Sequence, residues 1–171
     1  MWTRVGGANA HWIMSQAIRA IYDTFPVHRF PLPTEEQVRE LERRLKLPLP
    51  GHYRQFILEF NGGCFQEPWP LITPVHDDAP LEHLSDLWGI GADYPHAELG
   101  HDTCNFDDND PPIVLPIGYT VRNSLLYLVT EDAPDYGSVC VKLAFCWTVF
   151  VIADTMDELF GLLRSEQPKS Y

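Results

Sequence analysis

The sequence predicts an α+β domain: helices packed on one face of a mainly antiparallel sheet, with an N-terminal helical hairpin and a C-terminal closing helix. Three features carry that reading. Helical periodicity dominates up to residue 63, strand composition takes over from residue 113, and one amphipathic stretch follows residue 154.

Residues 10–25 read as a first helix, with Ile13, Ala17, Ile18 and Ile21 on one face. Residues 28–33 are an extended connection, because a residue before proline is biased away from helix. Thr34 caps a second helix, and Gln37 three places on completes a capping box. Val38, Leu41 and Leu45 form its inner face. Glu35, Glu36 and Glu40 lie toward its N-terminal end, and Arg43, Arg44 and Lys46 toward its C-terminal end, as the helix dipole favours.

Residues 47–63, LPLPGHYRQFILEFNGG, spell a third helix with both ends written in. Pro48 and Pro50 suit the lead-in or first turn, where a missing N–H goes unnoticed. Tyr53, Phe56, Ile57 and Phe60 share one face. Asn61-Gly62-Gly63 stops the helix, since glycine takes the left-handed conformation without a steric penalty.

Residues 64–74 hold Phe65, Trp69, Leu71 and Ile72 among three prolines, and read as an edge strand or an irregular extended segment. Leu81, Leu84, Leu87 and Trp88 suggest a short amphipathic helix ending at Gly89, and residues 91–112 have loop composition. Residues 113–117, 124–130, 139–143 and 145–153 are predicted strands of an antiparallel meander. Gly118 and Asn123 bracket one turn, and residues 132–137 make another. Asp154 or Thr155 caps the last helix, with Leu159, Phe160, Leu162 and Leu163 inward.

A chain of 171 residues suits one domain able to bury roughly 70% of its unfolded surface. No apolar run approaches the ~20 residues of a membrane-spanning helix. Only Arg4 precedes the short apolar run Trp12-Ile13-Met14, which is no signal peptide, so the expected location is cytoplasmic. Cys64, Cys104, Cys140 and Cys146 show no CxxC spacing and are expected to be free thiols.

The net charge of −12 is unevenly spread. No Lys or Arg occurs between Arg54 and Arg122. That interval holds Glu59, Glu67, Asp77, Asp78, Glu82, Asp86, Asp93, Glu98, Asp102, Asp107, Asp108 and Asp110, half of the 24 acids. The interval therefore accounts for the whole net charge. It repels nucleic-acid phosphate and anionic membrane and attracts a basic surface, so neither direct nucleic-acid binding nor a membrane role is expected.

Residues 105–110, NFDDND, invite a calcium reading but lack the glycine and the terminal glutamate of an EF-hand loop. A solvated acidic loop or a partner surface is the better account. His96, His101 and Cys104 match no common zinc spacing. There is no GxSxG elbow, recognisable Cys-His motif, GxxxxGK[ST] loop or GxGxxG loop. No catalytic residue, metal or cofactor is expected. Trp69, Trp88 and Trp147 read as core or core-rim residues. For Trp88, beside the acidic interval, the other reading is an interface anchor.

Taken in order, four pieces resemble the SUKH superfamily of SMI/KNR-like proteins: Leu49-Pro50-x-x-Tyr53-x-x-Phe56 into Phe60-Asn61-Gly62-Gly63; Leu115-Pro116-Ile117-Gly118; Asp135-Tyr136-Gly137-Ser138-Val139; and residues 153–160, similar to the family's closing Ser-Phe-x-x-Phe-Leu helix. Asp154 or Thr155 stands for that serine and Met156 for that phenylalanine, and the helix near residues 10–25 precedes the family's usual start. The expected organisation is an N-terminal helix and lead-in over 1–32, a SUKH-like domain over 33–165 and a tail over 166–171.

The resemblance implies a non-catalytic binding protein, since the family has no shared catalytic residues. Many bacterial relatives are immunity proteins that neutralise toxins, often nucleases. The expected partner is a basic toxin domain, met by Asp77, Asp78, Glu82, Asp107, Asp108 and Asp110, with Trp88 or Tyr94 as apolar anchors. The alternative is a housekeeping adaptor or regulatory module of the SMI/KNR type, in which the acids serve solubility.

Overall fold

The capping box at Thr34 is formed. In this computed structural model, which describes residues 18–71, 82–101, 113–130, 135–144 and 149–164, Thr34 Oγ1 accepts the Gln37 N–H at 3.3 Å. Gln37 Oε1 accepts the Thr34 N–H at 2.8 Å. Helix α1 is seen over residues 18–24; residues 10–17 of the predicted helix lie outside the described residues. Two-residue strand β1, Val27–His28, follows, then α2, Glu35–Leu45, and α3, Gly51–Glu59. As their spacing demands, Val38, Leu41 and Leu45 of α2 and Tyr53, Phe56 and Ile57 of α3 are buried. Pro50 is the N-cap of α3, and Asn61 adopts φ 54° beyond its C-terminus.

The sheet comprises β1 with β2 (Gly63–Leu71), β3 (Glu82–Leu87), β4 (Val114–Thr120), β5 (Leu125–Val129), β6 (Val139–Lys142) and β7 (Val149–Ala153). Its seven strands lie in chain order and every neighbouring pair is antiparallel. The meander predicted from residue 113 thus extends upstream to β1. Helix α4, Met156–Arg164, closes the chain. Glu158 N–H donates to Thr155 Oγ1 at 3.2 Å, which makes Thr155 the capping residue, and the Glu158 carboxylate accepts the Asp154 N–H at 2.8 Å. The fold is α+β.

One apolar cluster unites the helices with one face of the sheet. It takes Ile18, Ile21 and Tyr22 from α1, Met156, Leu159 and Phe160 from α4, and Leu126, Leu128, Val139 and Val141 from the strands. The alternating Tyr127 and Cys140, paired in register, point to the other face and stay outside it. Tyr22 sits at the aromatic centre, its ring 5.0 Å from Phe60 and 6.0 Å from Phe160.

Three local expectations change. The helix expected around Leu84 and Leu87 is strand β3. Leu84 pairs with Thr120 and Asp86 with Tyr119, so Ser85 is an extra residue, a β-bulge that resets the alternation. Leu84 and Leu87 therefore both turn inward at a helix-like spacing of three. Strand β2 is not an edge strand at its start, where β1 flanks it at Cys64 and Phe65. Its Pro68 and Pro70 fall beyond β1, where among the described residues only β3 pairs, as an absent N–H requires. Gly118 lies within β4, opposite Leu87 and Leu126, and the turn into β5 is made at residues 121–124, with Asn123 at φ 61°.

Candidate interaction surface

The Asn61-Gly62-Gly63 stop does more than end α3. Buried Asn61 donates from Nδ2 to Pro31 O at 2.5 Å and Ile90 O at 2.8 Å, and its Oδ1 accepts the Ile90 N–H at 2.8 Å. The backbones meet so closely that a Cβ on Gly62 would lie 2.3 Å from Leu87 O, and one on Gly89 2.1 Å from Asn61 O. Tyr22 Oη donates to Gly62 O at 3.2 Å. One polar side chain thus pins the lead-in to α2 and the chain leaving β3 to the end of α3.

Beyond that clamp, residues 89–100 close on themselves. Gly89 N–H donates to Ala97 O at 3.0 Å, Leu99 N–H to Gly89 O at 2.8 Å, and Ala92 N–H to the Glu98 carboxylate at 2.9 Å. Arg44 of α2 donates to Leu99 O at 3.1 Å. A short 3-10 turn, Pro95–Ala97, follows Tyr94.

The result is a held loop that presents Tyr94 at 44% exposure. Its ring stacks on His96 at 5.7 Å and meets His28 of β1 at 6.0 Å. The His28 Nε2 lies 3.6 Å from the Asp93 carboxylate. Exposed Leu32 lies on the lead-in that Asn61 pins through Pro31. An aromatic ring between two imidazoles with a carboxylate beside it suits a cationic side chain.

Of the contact residues expected from sequence, Tyr94 is on the surface. Trp88 is not: at 1% exposure it is a core residue, its ring edge-on to Tyr119 at 5.2 Å, and burial there removes it from direct contact. Glu82 begins β3 opposite Leu71, its side chain outside the described part. Asp77, Asp78, Asp107, Asp108 and Asp110 lie outside the described residues, as does the NFDDND segment. Among the interval's described acids, Glu59 accepts from Gln55 at 2.6 Å and Asp86 from Ser85 Oγ at 2.5 Å. Sequence reasoning misses His28 and Asp93. A two-residue strand has no periodicity to read, so nothing in the order of residues announces that β1 lies near the Tyr94 loop.

Elsewhere, two thiols are shifted by their surroundings. Cys64 is pushed up to about 12 by burial and the Asp86 carboxylate, and Cys140 to about 11 by burial and Asp135. Neither is a ready thiolate nucleophile. Burial lowers the His52 pKa, with the Gly137 backbone opposing that in part. Among the described residues no cluster of three His, Cys, Asp or Glu is placed to hold a metal, and no helix is long and apolar enough to cross a membrane.

Helices on one face of a seven-stranded antiparallel meander, with a clamped loop between sheet edge and helices, define the class as an α+β domain. The model of the SMI1 / KNR4 family (SUKH-1) matches residues 32–161, and the chain belongs to that family. No curated protein sequence matches the chain.

Proposed function

We propose that this protein is a non-catalytic binding protein of the immunity type, which neutralises a cognate toxin by occupying a basic, phosphate-binding cleft with carboxylates. The observation that carries the reading is the stretch from residue 55 to residue 121, which holds half of the acids and no Lys or Arg. Membership of a family with immunity proteins among its bacterial members supports it. In this reading Asp77, Asp78, Glu82, Asp107, Asp108 and Asp110 attract the partner, and complementary charge chiefly raises the association rate. Tyr94 supplies the aromatic anchor that sets residence time. No bond is made or broken: the toxin is blocked because its substrate site is filled.

The test is capture of partners from the source cell and its culture fluid with the tagged full chain, identified by mass spectrometry. Recovery of a basic C-terminal fragment of a large secreted protein, whose toxicity on expression is abolished by this chain, is the expected result. Recovery of resident cytosolic proteins alone, or a toxin fragment that still kills in its presence, overturns the reading and favours the SMI/KNR adaptor.

A further inference from the structure

We propose that the outer edge of β7 is a docking site for one extended basic strand of a protein partner, which adds an antiparallel eighth strand to the sheet. The inference rests on the basic-partner reading above. Among the described residues β7 is the last strand of the sheet, paired to β6 on one side only. An unpaired strand edge offers a row of N–H and C=O groups, and proteins normally guard it with lysine, proline or another charge. Here the five residues Val149–Ala153, VFVIA, carry no charge and no proline. Val149 and Val151 stand 49% and 45% exposed on alternate positions, the pattern by which an added strand is read through side-chain pockets while the backbone supplies affinity.

The charge around the edge names the occupant. At its C-terminal end β7 runs into two exposed acids, Asp154 and Glu158, while Lys142, across from Val149 on β6, is a cation near the other end. A second copy of this chain would bring a second net charge of −12, so a cationic strand is the complementary occupant. Every other pair in the sheet is antiparallel, and that pairing is also the slightly more stable one. An antiparallel newcomer places its own N-terminal residues beside Asp154. Those are therefore its basic ones, with apolar residues following opposite Val151 and Val149.

The probes are short capped peptides alternating valine and threonine, with two lysines at the N-terminus, two lysines at the C-terminus, or two glutamates at the N-terminus. Amide hydrogen exchange and heteronuclear NMR on the full chain report where they bind. The lysine-first peptide is expected to protect amides of Val149–Ala153 and to bind at least about tenfold more tightly than the glutamate-first one. A Val149→Lys/Val151→Lys variant with an unchanged unfolding midpoint is expected to lose that protection. Equal affinity for all three peptides, or binding without protection in β7, overturns the proposal, and the peptide comparison on the wild-type chain decides even if the variant fails to fold. Protection of β7 that rises with protein concentration without peptide overturns it in favour of a second copy. Because no toxin enters this assay, its failure is distinct from failure of toxin rescue.

Discussion

Asn61 joins three stretches of backbone that have no other polar tie of this kind among the described contacts: Pro31, Ile90 and the end of α3. Removing its amide leaves buried carbonyl and N–H groups without partners, each worth about 1–3 kcal/mol. Asn61→Ala is expected to destabilise the fold by about 3 kcal/mol, seen as a lower urea midpoint with an unchanged slope. His52 gives a pH-dependent counterpart. Its Nδ1 accepts the Met156 N–H at 3.5 Å, which requires the neutral ring, and burial lowers its folded pKa below the usual 6.5. The unfolded chain therefore binds the proton more readily. The stability contributed by neutral His52 is fully present above about pH 6.5 and is lost as pH falls through the depressed folded value. Urea midpoints measured from about pH 7.5 to 5 should fall more steeply for wild type than for His52→Gln.

Among the elements, those with a regular period and local end signals were legible: the Thr34 box, the inner stripe of α2, the aromatic face of α3 and its Asn-Gly-Gly stop. Two of the three changed expectations have one physical reason, that β-bulges shift side-chain alternation, and the third, at β2, comes from the two-residue strand β1 that flanks it. The bulge at Ser85 put Leu84 and Leu87 on one face at a spacing that reads as helical. Gly118, which the sequence reads as a turn glycine, sits in β4 beside a register shift, where a Cβ would lie 2.2 Å from Asp86 O. Here the glycine is required for strand approach rather than for its dihedral freedom. Gly118→Ala must push β3 from β4 in the middle of the sheet, and a loss of about 3 kcal/mol or more is expected, with faster amide exchange in both strands. Thr34→Ala, at an exposed helix end, is expected to lose only about 1 kcal/mol. Should the two substitutions prove equally mild in denaturant titrations, the close packing of β3 on β4 is not as described.

For the molecule as a whole, the part of the surface written in composition was legible and the part assembled by long-range pairing was not. The cation-free interval is visible in the sequence because charge needs no fold to be counted. The grouping of Tyr94 with His28 and Asp93 depends on β1 meeting β2 across the intervening helices α2 and α3, a contact no local signal encodes. The two kinds of feature should also act differently on a partner. Charges act at a distance and are screened beyond about 8 Å at physiological salt, whereas a ring in contact is felt only after docking. Replacing Asp107, Asp108 and Asp110 with asparagine keeps shape and removes three of the charges behind the net −12. Association with the captured toxin fragment is expected to slow by about three- to tenfold at low ionic strength, with the difference shrinking below about twofold near ~0.5 M salt and dissociation little changed. Tyr94→Ala should do the reverse, leaving association nearly intact and speeding dissociation by about tenfold or more. Stopped-flow association and surface-binding dissociation rates across a salt series separate the two. If the triple asparagine variant associates at the wild-type rate at every ionic strength, residues 107–110 do not steer the partner, and the acids of that segment serve solubility instead.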